Sequence, residues 1–337
     1  MNVTRDRLLA LIGGFRATQM IRTAALLGIC DRLVAGPREA SDLAAELNAD
    51  PALLHRLMRA LAGIDVLEEG TDGRFSNTDM GELLRSDVPE TAAAVAVGLP
   101  DDHVWKAWSR LHQSVVDGSV PHDIANDASF WELLGDDPVA SARFNAFMAA
   151  NTEAFVPQLL DAFDFSACKT VVDVGGGSGG LIASILAAHP GLRAVLFDQM
   201  SGLEGADEFL RQRGVTDRCI VVAGDFFESV PTGGDVYLLR LILHDWEDEE
   251  AAAILRTCRR AIGPGGTLIV VERVLGPPNQ GAKTKFSDLN MLVMPGGRER
   301  GLQEFEALFE TAGFRLERET PSSSGFSVIA ASPARAS

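Results

Sequence analysis

Val171-Val172-Asp173-Val174-Gly175-Gly176-Gly177-Ser178-Gly179-Gly180 reads as a strand, a glycine loop and the start of a helix. Such a unit opens a doubly wound α/β sheet, whose ligands bind outside the carboxyl ends of the strands, near this first turn. Glycine suits the loop because no Cβ stands between backbone and ligand. The loop amides are then free to donate hydrogen bonds. Downstream, apolar runs alternate with helical stretches. Strands are expected at Thr170–Val174, Ala194–Phe197, Cys219–Val222, Asp235–Leu239, Thr267–Glu272, Phe314–Glu319 and Phe326–Ala331. Strand–helix alternation predicts a parallel sheet. The short Pro/Ser/Gly link between the last two strands predicts an antiparallel pair at its edge.

Upstream, the reading is helical. Met20–Leu33 carries apolar residues at helical spacing. Ser41 is placed to cap a helix through Leu47, and Asp50-Pro51 to start another. Two strand-like runs, 66–69 and 74–77, flank Gly70–Gly73. Helix, helix and hairpin make a winged-helix pattern. Residues 1–100 hold 10 Lys/Arg against 14 Asp/Glu, so the electrostatic footprint of a DNA reader is missing and a dimerisation module is favoured. The expected divisions are 1–100 (that module), 101–165 (a helical linker and pocket wall) and 166–337 (the α/β domain).

Composition supports this. With 46% hydrophobic and 23% charged residues, the 337-residue chain can bury a core. A net charge of −17 disfavours nucleic acid and anionic membranes. The four cysteines are far apart in sequence and form no CxxC pair, which predicts reduced thiols, a cytoplasmic location and no zinc site. The apolar start is short and broken by Gly13 and Gly14, unlike a signal peptide. The longest uncharged run, Val174–Leu192, is too rich in glycine for a membrane span.

The glycine spacing itself fits two ligands. Gly175, Gly177 and Gly180 match the GxGxxG of dinucleotide enzymes. Asp173 with Gly175, Gly177 and Gly179 matches the acid-x-Gly-x-Gly-x-Gly loop of S-adenosylmethionine (SAM) enzymes, and Asp198 is placed for ribose hydroxyls in either case. Three features favour SAM. The glycine domain follows a helical half. Gly224-Asp225-Phe226-Phe227 follows the third strand, where an acid and a ring suit adenine. The chain's single tyrosine, Tyr237, has no Tyr-x-x-x-Lys partner for hydride chemistry. His244 is expected just past the fourth strand, beside the ligand crevice. An imidazole there accepts a phenolic proton near neutral pH. Glu272 and Glu299 are candidates to fix its tautomer.

DVGGGSGG, FD at 197–198, GDFF, LILHDWEDEE, GPGGTLIVVER, SDLNMLV and GGRERGLQEFEALFETAGF occur in that order. Together they resemble the class I SAM-dependent O-methyltransferases of the caffeate/hydroxyneurine type, including bacterial enzymes that tailor aromatic antibiotics. The resemblance implies a Rossmann-like doubly wound sheet behind a winged-helix-like dimerisation domain, a homodimer, an aromatic small-molecule substrate and SAM as cofactor. It implies cofactor contacts from Asp173, Gly175, Gly177, Asp198, Asp225, Phe226, Arg240 and Arg143. It makes His244 the general base, supported by Glu272 and Glu299. Trp105, Phe144, Met148, Asp245, Asn290, Met291 and Met294 are implied on the substrate side. Two alternatives stand beside it: a SAM-binding relative that decarboxylates or hydroxylates an aromatic polyketide, and a winged-helix regulator.

Overall fold

The computed structural model describes residues 3–88 and 91–334. By contact the chain forms two compact units. One runs to Trp105 and adds Val139–Ala150; the other takes Lys106–Pro138 and Asn151 onward. The long helix Pro138–Ala162 therefore contributes its first half to one unit and its second half to the other.

In the first unit a helix spans Val3–Leu26. The expected Met20–Leu33 helix is divided here: Gly28 takes φ +57, and a separate turn of helix follows at Ile29–Arg32. Ser41 does not cap. The helix Ala40–Leu47 begins two residues earlier than that cap would set it, with Glu39 at its N-cap, so the Ser41 hydroxyl lies inside the first turn and donates to Glu39 Oε2 at 3.4 Å. Asp50 does cap the helix Pro51–Ala62, its Oδ1 accepting from the amides of Ala52 and Leu53, with Pro51 in the first turn. Strands β1 (Leu67–Glu69) and β2 (Phe75–Asn77) form the antiparallel hairpin. Ile29, Leu43, Leu54, Met58, Leu61 and Phe75 fill this unit's core.

The second unit carries seven strands: β3 (Thr170–Val174), β4 (Arg193–Asp198), β5 (Cys219–Ala223), β6 (Val236–Arg240), β7 (Thr267–Glu272), β8 (Phe314–Pro321) and β9 (Ser327–Pro333). Their order is β5-β4-β3-β6-β7-β9-β8. The first five are parallel, and β9 runs antiparallel to both β7 and β8. Order reverses between β3 and β6, so a crevice opens at their carboxyl ends. The strands are buried runs because helices cover them; Tyr237 and Leu239 face a core with Leu255, Cys258, Phe305 and Phe309. All four cysteines are free thiols. Among the described residues no helix is long and apolar enough to cross a membrane.

Candidate active site

At the carboxyl end of β3 the chain turns into the glycine loop. Gly175, Gly177 and Gly179 take φ of +73, +56 and +85, a backbone region that side chains with a Cβ rarely adopt. The amides of Gly175 and Gly176 donate to the carbonyl of Phe197, which ties the loop to β4. A Cβ on Gly175 would meet Ile242 Cδ1 at 2.4 Å, whereas one on Gly177 would meet no protein atom within 4 Å. Gly177 is therefore where backbone can approach a ligand most closely.

Asp198 ends β4. Its Oδ2 accepts from Gly177 N–H at 2.8 Å and its Oδ1 from Gln199 N–H at 2.7 Å. Burial raises its pKa. Each oxygen keeps a lone pair for a hydroxyl donor. Past β5, Asp225 Oδ1 accepts from Phe227 N–H at 2.8 Å, closing its own turn. The Phe226 ring is half-buried and stands edge-on to Phe227 and Trp246.

Asp173 lies on the floor, 1% exposed, opposite Leu238 in the β3/β6 ladder. Arg240 lies two residues further along β6, so it faces the same side of the sheet. Burial pushes the Asp173 carboxyl up to about 7; Asp198 adds to this and Arg240 opposes it. Burial also brings the Arg240 guanidinium down to about 10, against the pull of Glu272 and Asp173. Arg240 Nη1 donates to Thr152 Oγ1 at 3.0 Å, and the guanidinium lies over Phe155 and Phe326. Among the described residues its Nε and Nη2 have no hydrogen-bond partner, nor does Asp173 Oδ2. Nε and Nη2 share one edge of the planar guanidinium, the edge that receives a carboxylate through two parallel hydrogen bonds.

Beyond β6 the backbone folds into a single 3-10 turn, Leu243–Asp245, which buries His244. Its Nδ1 lies 3.2 Å from Glu299 Oε1 and 3.4 Å from Glu272 Oε2; its Nε2 lies 3.4 Å from Asp245 Oδ1. Burial alone would lower the imidazole pKa, but Glu272, Asp245 and Glu299 outweigh it and raise it to about 10. Burial pushes Asp245 up to about 7 and raises Glu272 as well, while the imidazolium draws both down. Each charge of the pair His244–Glu272 favours the other, but burial still leaves the Glu272 carboxyl above its ordinary value.

Glu299 is fixed in turn: Ser287 Oγ donates to its Oε1 at 2.6 Å, and Asp288 Oδ1 accepts its N–H. Nearby, Asn290 Oδ1 accepts from Trp108 Nε1 at 3.3 Å, Met291 is half-buried and Met294 is buried. The remaining expected residues belong to the other unit. There Arg143 Nη1 donates to Asp101 Oδ1 at 3.1 Å, beside Arg22, while Phe144 and Met148 are half-buried and Trp105 is partly exposed. Sequence reasoning gave no role to Thr152, Ser287 or Arg300. No local signal marks them, since each meets its partner only through the fold.

Residues 108–315 match the model of the O-methyltransferase domain, and residues 9–87 that of the O-methyltransferase dimerisation domain. The chain belongs to the O-methyltransferases. It is 40% identical to phenazine O-methyltransferase PhzM of Lysobacter antibioticus, over 97% of this chain and 95% of that one. The crystal structure of LaPhzM superimposes with a TM-score of 0.94 at 39% identity, covering 98% of this chain and 99% of that one. NcsB1, an O-methyltransferase from neocarzinostatin biosynthesis solved with SAM and 2-hydroxy-5-methyl naphthoic acid, matches at TM-score 0.81 and 33% identity over 94% and 96% of the two chains. A further relative, aclacinomycin 10-hydroxylase RdmB of Streptomyces purpurascens, is 36% identical over 95% and 87%.

The cofactor of this enzyme is SAM. The residues present fit it. A loop with positive φ leaves Gly177 open to a ligand, Asp198 suits a ribose diol, and the unmet Arg240 edge and Asp173 oxygen suit the carboxylate and ammonium of an amino-acid group.

Proposed function

We propose that the enzyme methylates a phenolic hydroxyl of an aromatic small molecule, such as a hydroxy-aromatic acid or an aromatic polyketide, and that His244 removes the acceptor proton. One observation carries this reading: a buried imidazole at the carboxyl end of β6, held on Nδ1 by two carboxylates. When bound, SAM supplies a methyl group activated by the positive sulfonium. Asp198 holds the ribose, Asp225 and Phe226 the adenine, and Arg240 and Asp173 the amino-acid end. Because Nδ1 faces Glu272 and Glu299, protons come and go through Nε2, with Asp245 alongside. The two glutamates stabilise the imidazolium that forms, and a positioned base of this kind contributes about 100–10,000-fold. Asn290, Met291 and Met294 are assigned to the acceptor.

The enzyme works as a cytoplasmic homodimer without nucleic-acid or membrane partners. Supporting this are the dimerisation domain, the exposed Leu11, Ile12 and Phe15 of the first helix, the free thiols and the net charge of −17. A second reading, a hydroxylase or decarboxylase on the same fold, is favoured by the likeness to RdmB.

Mass spectrometry of products from SAM with a deuterated methyl group and a panel of phenols separates the two. Transfer of one labelled methyl to oxygen is expected. Turnover is also expected to rise between about pH 6 and about pH 10, because the base acts from the unprotonated ring and its pKa is raised. Loss of carbon dioxide or gain of oxygen without methyl transfer would favour the second reading.

A further inference from the structure

The backbone that carries His244 is under unusual constraint. Leu241 takes φ +56, a conformation that is uncommon for a bulky residue and that persists only where the surroundings enforce it. Two side chains grip the residues that follow. From β7, Glu272 Oε1 accepts from the amides of Ile242 and Leu243 at 3.0 Å each and lies 3.4 Å from that of His244. From the opposite sense of the backbone, Arg300 Nη1 donates to the Leu243 carbonyl and Nη2 to the Trp246 carbonyl, both at 2.8 Å. Arg300 Nε donates to Asp248 Oδ1, also at 2.8 Å. Arg300 is completely buried, so an unmet donor there would be costly, and all three of its donor nitrogens are used. The adjacent strip adds to the grip: the Arg298 amide donates to the His244 carbonyl, and a Cβ on Gly297 would meet that carbonyl oxygen at 2.2 Å.

We infer that Arg300 is a positioning residue for methyl transfer: it holds the two carbonyls that flank His244, against Glu272 on the amides, and so sets where the imidazole points. This division of work also reassigns half of Glu272. Its Oε1 is spent on backbone, and only Oε2 faces the ring, so Glu299 is the main partner of Nδ1. The chemistry suits the parts. A carboxylate receives converging amides, and a guanidinium spans two carbonyls that a lysine ammonium cannot bridge in the same plane. Placement of the reacting groups matters because a shift of about 1 Å costs on the order of 100-fold in rate.

The inference rests on His244 being the base, and a double-mutant cycle tests it separately. Arg300→Lys, His244→Ala and the double variant are compared at saturating SAM and phenol, with S-adenosylhomocysteine affinity measured by calorimetry as a check on folding. Arg300→Lys is expected to lower kcat about 100-fold in the wild-type background and less than about 3-fold in His244→Ala, because residues that act as a unit are not additive. S-adenosylhomocysteine affinity stays within about twofold. Should Arg300→Lys fail to fold, Asp248→Asn, which releases Arg300 Nε from the surface, takes its place with an expected loss of about tenfold and the same dependence on background. An equal fold-loss in both backgrounds, or no loss in folded protein, overturns the inference. Full activity in His244→Ala overturns the reading of the base instead.

Discussion

Arg240 and Arg300 are both buried arginines beside the same turn, and they are satisfied in opposite ways. Arg300 spends every donor nitrogen on the protein. Arg240 leaves a whole edge unmet, close to an unmet oxygen of Asp173. A fully bonded buried cation fixes a shape; a partly bonded one costs stability until a ligand completes it. The turn to which we assign the proton chemistry is thus overdetermined, while the proposed floor of the cofactor site keeps unmet donors and an unmet acceptor. The fold separates rigidity from affinity over a few residues at one strand end.

The contrast is broken most sharply by Arg240→Met. S-adenosylhomocysteine is expected to bind about 100-fold more weakly, whereas methylthioadenosine, which lacks the amino-acid end, keeps its affinity within about twofold. Calorimetry with both ligands checks this. Equal losses for the two would place Arg240 elsewhere in the site.

Asp173→Asn sharpens the same contrast with a smaller effect. The carboxyl's folded pKa lies near 7, above its unfolded value, so its ionisation opposes folding as pH rises from about 4 to about 7. The amide removes that penalty. Thermal unfolding of the free protein is expected to move up by a few degrees at pH 8 and by little at pH 4, while product affinity falls. A lower melting temperature at pH 8 would count against Asp173 as a stored cost.

The sheet was legible because each buried strand is a short apolar run between turn residues. Strand ends moved by no more than two residues, as with β8 reaching Pro321 and β4 beginning at Arg193. The glycine loop and His244 were legible too, since strand–loop–helix chemistry is local. Ser41 misled because a two-residue shift in helix start moves a cap into the first turn. Arg300 stayed hidden for a different reason. Its partners Leu243 and Trp246 lie 57 and 54 residues away, and nothing in GGRER distinguishes a buried arginine from a solvated one. Thr152 meets Arg240 across 88 residues. The places of the candidate residues on strand ends and loops were readable one by one; the contacts that hold them were not.

The role of His244 is tested most directly by single-turnover methyl transfer in His244→Ala, with donor and phenol both saturating. The account predicts a rate lower by about 100–10,000-fold with S-adenosylhomocysteine affinity unchanged within about twofold. A rate equal to that of the unaltered enzyme would contradict it.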